Sequence, residues 1–303
     1  MHRDFLAFSD LAPGAVLPLL QRAISLKSGA QSKALAGKHT VLLFEKPSLR
    51  TKLSFWIGVE RLGGRPVYFS PEEVGLGKRE PVSDVARVIS RMADMAVLRT
   101  FQHRTIEQFA EFASVPVINA LTDTEHPCQA LADLMTILEH RGSLQGARVA
   151  YIGDGNNVAA SLSQAVAATG GTLVIASPGG YELPEPVLDQ SRSLAREQGG
   201  DVAQVRDPRE AVQGADVVYT DVWTSMGQEA ETQKRLRDFN SYQVTPELLD
   251  EAGPQVKFMH DMPAHPGEEI SPGLLDDPRS IAFDQAENRL WAQAALMETL
   301  ARG

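Results

Sequence analysis

The sequence predicts an α/β protein with two lobes, each built on a parallel β-sheet. Short apolar runs alternate with stretches of helical periodicity along the whole chain, which is the pattern of parallel sheets. The 303 residues suit about two domains of roughly 150 residues each. Polar clusters directly follow several apolar runs, and in such folds ligands bind beyond the carboxyl ends of the strands. We therefore expect the active site in the cleft between the two lobes.

The first lobe is predicted to contain four strands separated by helices. The strand-length apolar runs are HTVLLFE (39–45), PVYFS (66–70), MAVLRT (95–100) and VPVINA (115–120). Helical periodicity fills residues 14–35, 50–62, 84–92, 105–113 and 127–140. Pro127 suits the first turn of the last helix, because that position needs no backbone N–H donor.

The second lobe repeats this alternation. Its predicted strands are ARVAYIGD (147–154), TLVIAS (172–177), ADVVYTDV (215–222), VKFMHD (256–261) and SIAFD (280–284), and a helical stretch follows Asn157. The final segment, AENRLWAQAALMETL (286–300), has the pattern of an amphipathic helix.

Composition and charge restrict the classes of function. The formal charge of −10 argues against a general nucleic-acid binder, which needs a basic face, but a local arginine cluster still permits anionic substrates. No apolar run approaches the roughly 18 residues of a membrane span, and the N-terminus lacks the apolar segment of a signal peptide. Cys128 alone permits no internal disulfide, which fits a reducing compartment. We expect a cytoplasmic protein.

The tetrapeptide SLRT (48–51) follows the first strand and opens a helix. Ser48, Thr51 and the free N–H groups of the helix start can face an anion, while Arg50 supplies positive charge. The alternative is a helix cap beside a solvated arginine. The tetrapeptide alone does not decide between these interpretations.

Two further clusters also follow strands. In TDTEHPCQALADL (122–134), His126 and Gln129 lie together at a helix start, where they can hydrogen-bond a carbonyl oxygen. A His–Pro pair is also a common structural cap. In TDVWTSMG (220–227), Asp221 is placed to pair with a cationic group of a ligand, and the alternative is an ordinary strand-to-loop corner.

Two motifs suggest a bound cofactor but lack its full pattern. GDGNN (153–157) misses the third glycine of a dinucleotide fingerprint, because Val158 stands there, and the next strand ends without an acidic residue for a ribose. In HDMPAHPGEE (260–269), His260, Asp261 and His265 have no further ligand at convincing spacing. We therefore predict neither a nucleotide nor a metal.

In this order, the clusters resemble the aspartate/ornithine carbamoyltransferase family over nearly the whole chain. SLRT resembles the family's Ser-x-Arg-Thr carbamoyl-phosphate loop and HPCQ its His-Pro-x-Gln motif, while DGNN, DVWTSMG, the His-x-x-Pro loop and ENR (287–289) complete the pattern. DVWTSMG indicates ornithine rather than aspartate as the acceptor. The resemblance implies an enzyme of arginine biosynthesis that converts carbamoyl phosphate and L-ornithine to L-citrulline and phosphate without a cofactor. It also implies a homotrimer, or a multiple of one, with active sites between subunits.

The resemblance further implies a role for each motif. The carbamoyl-phosphate domain would span 1–140, joined by the C-terminal helix 286–303, and the ornithine domain 141–285. Carbamoyl phosphate would be bound by Ser48, Leu49, Arg50, Thr51, Arg99, His126, Gln129 and Arg289, of which the last four form the catalytic set. Ornithine would be bound by Asn157, Asp221, Ser225, Met226, Asp261 and Met262. The loop around Gly75 to Glu80 would complete a neighbouring subunit's site.

Two positions depart from the family pattern. Asp261 stands where ornithine enzymes usually carry a cysteine, in a His-Cys-Leu-Pro loop. Its carboxylate would raise the pKa of the attacking amine, accept a proton as a general base, or turn into solvent. Glu73 stands where many relatives carry glutamine, and its charge would repel phosphate unless the side chain turns away. Two other functions therefore stay open: a carbamoyltransferase acting on putrescine or acylated ornithine, and a catalytically weak ligand-binding homologue.

Overall fold

Two parallel β-sheets, one in each of two units, organise the chain. The structure is a computed structural model that describes residues 4–77, 79–225 and 227–302. The first unit is Met1–Met135 with Glu287–Gly303, and the second is Thr136–Ala286. All strand pairs between the named strands are parallel. The predicted fold class, an α/β protein with two parallel-sheet lobes, is confirmed.

The sheet of the first unit has four strands in the order β2-β1-β3-β4. They are β1 (His39–Phe44), β2 (Arg65–Phe69), β3 (Met95–Arg99) and β4 (Val117–Leu121). Strand β3 is buried along its whole length, as expected for a central strand covered on both faces. The chain order reverses between β1 and β3, and their carboxyl ends form the switch point at which ligands bind in such folds.

The helices of the first unit connect these strands and cover the sheet. They are α1 (Pro13–Lys27), α2 (Leu49–Arg61), α3 (Pro71–Val74), α4 (Val82–Ile89), α5 (His103–Phe112) and α6 (Pro127–Arg141), which continues into the second unit. Ile106 and Phe109 of α5 pack with Val41 and Leu98 in a buried core on the sheet. A short 3-10 turn, Phe8–Asp10, precedes α1.

The sheet of the second unit has five strands in the order β7-β6-β5-β8-β9. They are β5 (Arg148–Ile152), β6 (Thr172–Ala176), β7 (Asp201–Val205), β8 (Val217–Thr220) and β9 (Lys257–His260). The chain order reverses between β5 and β8, so this unit has its own switch point at the carboxyl ends of those strands.

The helices of the second unit are α7 (Asn157–Ala168), α8 (Glu185–Gln198), α9 (Pro208–Val212), α10 (Thr232–Asp238) and α11 (Pro246–Ala252). Short 3-10 turns cover Glu229–Glu231 and Leu274–Asp276. The last helix, α12 (Ala282–Leu300), belongs to the first unit from Glu287 onward. No helix among the described residues is long and apolar enough to cross a membrane.

Two predicted elements differ from the structure, and one observed strand was not predicted. The first predicted helix (14–35) ends at Lys27, because Ser28 caps it and Gly29 adopts a left-handed φ of 102°. The predicted strand SIAFD is wrong: pairing with β9 stops at a single bridge between Ser280 and Phe258, and α12 begins at Ala282. Strand β7 was not predicted, because a short edge strand with half-exposed residues carries a weak apolar signal.

Candidate active site

Ser48 and Thr51 open α2 beyond the carboxyl end of β1. The Ser48 hydroxyl accepts a hydrogen bond from the Thr51 N–H (3.3 Å) and donates to Thr51 Oγ1 (2.9 Å). The helix cap that the sequence offered as the alternative is therefore present. Half-buried Arg50 forms no hydrogen bond or ion pair with the residues that the structure describes. The helix start thus combines free N–H groups with a cation that has no protein partner there.

Arg289 of α12 connects two of the predicted clusters. Its buried guanidinium donates through Nη2 to Thr51 Oγ1 (2.7 Å) and through Nη1 to Gln129 Oε1. The Gln129 amide then donates through Nε2 to Asp133, also buried (2.8 Å). One hydrogen-bond network therefore joins Ser48, Thr51, Gln129 and Arg289, which are far apart in the sequence.

His126 lies between β4 and α6, buried at 2% exposure. Burial lowers the pKa of His126 well below its usual value, and the positive charges of Arg289, Arg99 and Lys46 lower it further. The imidazole is therefore neutral at neutral pH and can donate through one ring nitrogen. Buried Arg99 is the last residue of β3. Because the charges of Arg99 and Arg289 act on the pKa of His126, both guanidinium groups belong to the same site as the imidazole. It also identifies Lys46, which sequence reasoning missed although it stands two residues before SLRT.

Glu73 does not face the helix start of α2 with a free carboxylate. Its Oε2 accepts a hydrogen bond from the Ser70 N–H (2.8 Å) and so caps the short helix α3. Hydrogen bonds from the backbone and side chain of Ser70 lower the pKa of the exposed Glu73 carboxyl. The side chain turns back on its own helix and holds its carboxylate there.

In the second unit, Asp221 follows β8 and is buried. Its Oδ1 accepts a hydrogen bond from the Val222 N–H (2.7 Å) and its Oδ2 accepts one from Asn156 Nδ2 (2.7 Å). Asn156 also caps α7, because its Oδ1 accepts from the Val158 and Ala159 N–H groups (2.9 and 3.1 Å). Asn156 thus ties the carboxylate at the end of β8 to the loop after β5.

Three other residues of this region are predicted to bind ornithine, and the structure describes two of them. Asn157 is the first residue of α7 and is half-buried. The half-buried Ser225 donates its N–H to Gln228 Oε1 (3.0 Å). Met226 lies outside the described residues.

An internal ion pair fastens the loop after β8. Arg235 of α10 donates through Nη1 to Asp154 Oδ2 (2.6 Å) and to the Trp223 carbonyl (2.9 Å). Asp154 belongs to the GDGNN motif, whereas no local pattern singles out Arg235. This pair holds the backbone two residues beyond Asp221 against the loop after β5.

Gly155 of the same motif has a structural explanation. Its N–H donates to the Tyr181 carbonyl (2.8 Å), and a Cβ at this position would lie 2.2 Å from the Leu183 nitrogen. Real Cβ atoms do not come this close to backbone, so only glycine fits. The close approach of another loop accounts for this glycine without a nucleotide.

The loop after β9 presents Asp261 and Met262. His260 is fully buried: its Nδ1 accepts the Met262 N–H (2.9 Å), and its Nε2 lies 3.1 Å from Glu269 Oε1. Met262 adopts a left-handed φ of 61°. The Asp261 side chain is only 11% exposed, with Oδ1 3.8 Å from His260 Nδ1, so the expectation that it turns into solvent is wrong.

One potential metal ligand in this loop is already engaged. Both ring nitrogens of His260 have protein neighbours, which removes it from the set considered with Asp261 and His265. In the part of the chain that the structure describes, one group of three possible ligands occurs, His265, Glu268 and Glu269. The buried Glu269 carboxylate accepts the His265 N–H (2.5 Å) as well as facing His260, so it fastens the loop at two points.

Each unit thus places one set of functional groups at the carboxyl ends of its strands. The first unit offers hydroxyls, helix N–H groups and cations, which suit a phosphate group and a polarised carbonyl oxygen. The second unit offers the buried carboxylate of Asp221 and the largely buried carboxylate of Asp261, which suit a ligand with ammonium groups.

Known proteins match the chain over nearly its whole length. Residues 3–139 match the carbamoyl-P binding domain of aspartate/ornithine carbamoyltransferase, and residues 145–300 match its Asp/Orn binding domain. The ornithine carbamoyltransferase of Anoxybacillus flavithermus is 46% identical over 302 residues, covering 98% of this chain and 96% of the relative.

Solved structures agree with these matches. Ornithine carbamoyltransferase from Pyrococcus furiosus superposes with a TM-score of 0.93 at 44% identity, covering 97% of this chain and 95% of that one. The anabolic enzyme of the same name from Campylobacter jejuni gives a TM-score of 0.95 at 33% identity, covering 99% of both chains. The resemblance inferred from the motifs is confirmed, and the chain belongs to the aspartate/ornithine carbamoyltransferase family.

Proposed function

We propose that this protein transfers the carbamoyl group of carbamoyl phosphate to L-ornithine, forming L-citrulline and phosphate. The observation that carries the proposal is the network of Thr51, Arg289 and Gln129 beside the neutral His126. The relatives and solved structures described above bear the name ornithine carbamoyltransferase, which supports the same reaction. Arginine biosynthesis and a cytoplasmic location belong to the proposal: the similarity to the anabolic enzyme from Campylobacter jejuni supports the first, and the single cysteine supports the second.

We assign the phosphate group to the start of α2. Ser48, Thr51 and the N–H groups of the first turn donate hydrogen bonds to its oxygens, and Arg50 adds a charge-assisted bond. Leu49 contributes its backbone, because the residue is 77% exposed and its apolar side chain offers no donor to a phosphate. In this assignment the first unit is the carbamoyl-phosphate domain.

We assign the carbonyl oxygen of the carbamoyl group to His126 and Arg99. Charge develops on this oxygen when the amine attacks, and fixed donors there stabilise the transition state. A neutral imidazole donates without adding another positive charge to a site that is already cationic. Both ends of the Gln129 amide are engaged with Arg289 and Asp133, so we assign Gln129 the role of orienting Arg289.

We assign the amino-acid substrate to the second unit. Asp221 pairs with an ammonium group, and Asn157, Ser225, Met226 and Met262 complete the site by resemblance. An alkylamine like that of lysine has a pKa of about 10.4, so the attacking amine must lose a proton near neutral pH. We assign Asp261 to the same site, because its largely buried carboxylate stands where the family usually carries a cysteine.

We propose that the protein assembles as a homotrimer or a multiple of trimers. Leu49 and Leu53 lie one turn apart on α2 and are 77% and 55% exposed, and Met92 is 77% exposed. These apolar side chains lie in the same unit as the phosphate-binding residues, which suits a contact with another copy beside the active site. Sedimentation equilibrium tests this directly: the wild-type mass should be a multiple of three chains, and Leu53→Glu should lower it. A wild-type monomer would refute the proposal.

A citrulline assay tests the proposed reaction. Carbamoyl phosphate is supplied with ornithine, putrescine, N-acetylornithine or aspartate in parallel, and the highest kcat/KM should belong to ornithine. Arg50→Ala should lower kcat/KM by on the order of 100-fold, since it removes a charge-assisted contact to the phosphate. Arg65→Ala is the matched control, because Arg65 is exposed at the start of β2, whereas the candidate site lies at the carboxyl ends of the strands. Turnover with another acceptor, or none with any, would refute the assignment.

A further inference from the structure

Glu269 is a fully buried carboxylate in the loop after β9, and only one of its two oxygens has hydrogen-bond donors. His260 Nδ1 accepts the Met262 N–H (2.9 Å), so the proton of the neutral imidazole is on Nε2, which lies 3.1 Å from Glu269 Oε1. The same oxygen accepts the His265 N–H (2.5 Å). Glu269 Oε2 is also buried, but it accepts no hydrogen bond from the residues that the structure describes. Burying a carboxylate oxygen without a partner is costly, so this atom requires an explanation.

Two partly exposed side chains lie beside this oxygen. His265 Nδ1 lies 3.9 Å from Glu269 Oε2 and 3.8 Å from Glu268 Oε2. One possible ligand atom from each of these three residues lies within 4.8 Å of the other two. The side chains of His265 and Glu268 are 47% and 34% exposed, so an ion can enter from solvent. This set differs from the one considered in the sequence, because Glu268 and Glu269 take the places of His260 and Asp261.

The charges at this cluster are mainly negative. Among residues 4–77, 79–225 and 227–302, no lysine or arginine forms an ion pair with Glu268 or Glu269, whose ionisable neighbours are histidines. A third carboxylate, Asp261, lies at His260 with Oδ1 3.8 Å from Nδ1. Because a buried carboxylate needs compensation, the site favours a cation.

The geometry suits a divalent transition-metal ion. Zinc binds nitrogen and oxygen ligands at about 2.0–2.2 Å, so two ligands of a tetrahedral ion lie about 3.3–3.5 Å apart. The observed 3.8 and 3.9 Å approach this range and require only small rotations of two partly exposed side chains. A histidine with carboxylates suits zinc better than calcium or magnesium, which prefer oxygen ligands alone.

The loop holds these ligands in place through other contacts. The Glu268 N–H donates to the His265 carbonyl (2.9 Å), and Gln243 Nε2 donates to the Glu268 carbonyl (2.8 Å). The two donors on Glu269 Oε1 fix the orientation of that carboxylate and leave Oε2 available, as hydrogen bonds to ligating carboxylates do in metal sites.

We propose that His265, Glu268 and Glu269 bind one divalent transition-metal ion, with zinc as the best fit. The ligands are His265 Nδ1 and one oxygen of each carboxylate, and a fourth position is open to water. The ion supplies the counter-charge for Glu269 and fastens the loop after β9. The three ligands lie outside the residues assigned to carbamoyl phosphate and ornithine, so the site adds to the proposed function and does not depend on it.

Titration calorimetry of zinc chloride into the full-length protein without an affinity tag tests the site. Wild type should bind one zinc ion per chain, and His265→Gln and Glu268→Gln should each weaken binding by about tenfold or more, since each removes a ligand. Zinc at about 100 times its Kd should raise the melting temperature of wild type by about 5–10 °C and that of the variants much less. Magnesium chloride should not bind there, because magnesium prefers oxygen ligands.

His140→Gln is the matched control. His140 is another partly exposed histidine beside a carboxylate, with Nε2 2.9 Å from Asp284 Oδ2, and its loss should leave zinc affinity unchanged. His265 and Glu268 are partly exposed, so both variants should fold, and their melting temperatures without zinc verify this. The proposal is overturned if wild type does not bind zinc, or if both ligand variants bind it within twofold of wild type. An equal loss of affinity in His140→Gln also overturns it.

Discussion

Replacing Arg235 by glutamine should destabilise the second unit by about 3–5 kcal/mol. Arg235 Nη1 lies 2.6 Å from Asp154 Oδ2, and the two side chains are only 7% and 11% exposed. Removing one partner of a buried pair costs about this much because the other charge remains buried and uncompensated. The Trp223 carbonyl also loses its donor. One kcal/mol shifts the melting temperature of a domain of this size by about 2–4 °C, so we expect a fall of about 6–20 °C.

The loss should be larger at neutral pH than in acid. Burial raises the pKa of Asp154, and the hydrogen bond and charge of Arg235 oppose that rise. Without Arg235 the pKa rises further, so the folded variant holds a proton at pH values above the unfolded pKa of about 3.9. A raised folded-state pKa contributes stability that is present at low pH and lost as the pH rises through it. The difference in unfolding free energy between wild type and variant should therefore shrink from pH 7.5 to pH 5.

Urea denaturation at the two pH values measures both effects. Glu231→Gln is the matched control, because Glu231 is the exposed partner of the same guanidinium (Nε–Oε2 3.0 Å) and should cost at most about 1 kcal/mol. Asp154→Asn combined with Arg235→Gln should lose less than the sum of the single variants. Arg235→Gln should also raise the KM for ornithine more than that for carbamoyl phosphate. A destabilisation no greater than that of Glu231→Gln, or one independent of pH, would refute the reasoning.

Three further outcomes are expected. Asp221→Asn should weaken ornithine far more than carbamoyl phosphate in direct binding measurements, since it deletes the carboxylate partner of an ammonium group, and equal effects would make Asp221 structural. Asp261→Cys should shift the kcat/KM–pH profile toward lower pH if the carboxylate holds the amine protonated. A lowered plateau would instead identify a general base, and superimposable profiles would remove Asp261 from catalysis. The depressed pKa of His126 keeps its imidazole unprotonated in the folded state, so the stability that the neutral side chain contributes is complete above about pH 6.5 and is lost as the pH falls below that value. His126→Gln should therefore flatten the dependence of unfolding free energy on pH between about pH 5 and 6.5. An unchanged slope would contradict this.

Local patterns were sufficient for much of the fold and for the motif residues. Each of the first four strands was predicted within two residues of its ends, because buried parallel strands are continuous apolar runs bounded by polar segments. The helix starts at Leu49 and Pro127 were predicted within one residue, because capping and proline preferences act within one turn. The polar residues that follow these strands were recognised for the same reason.

The sequence by itself determined the two-lobed α/β class, the family resemblance and the motif residues, because these depend on periodicity and short-range spacing. Only the tertiary structure decided which side chains meet. Thr51 and Arg289 are 238 positions apart yet share a hydrogen bond, and Arg235 reaches Asp154 across 81 positions. Burial, charge coupling and hydrogen bonding depend on distances in space, and the sequence alone does not specify them.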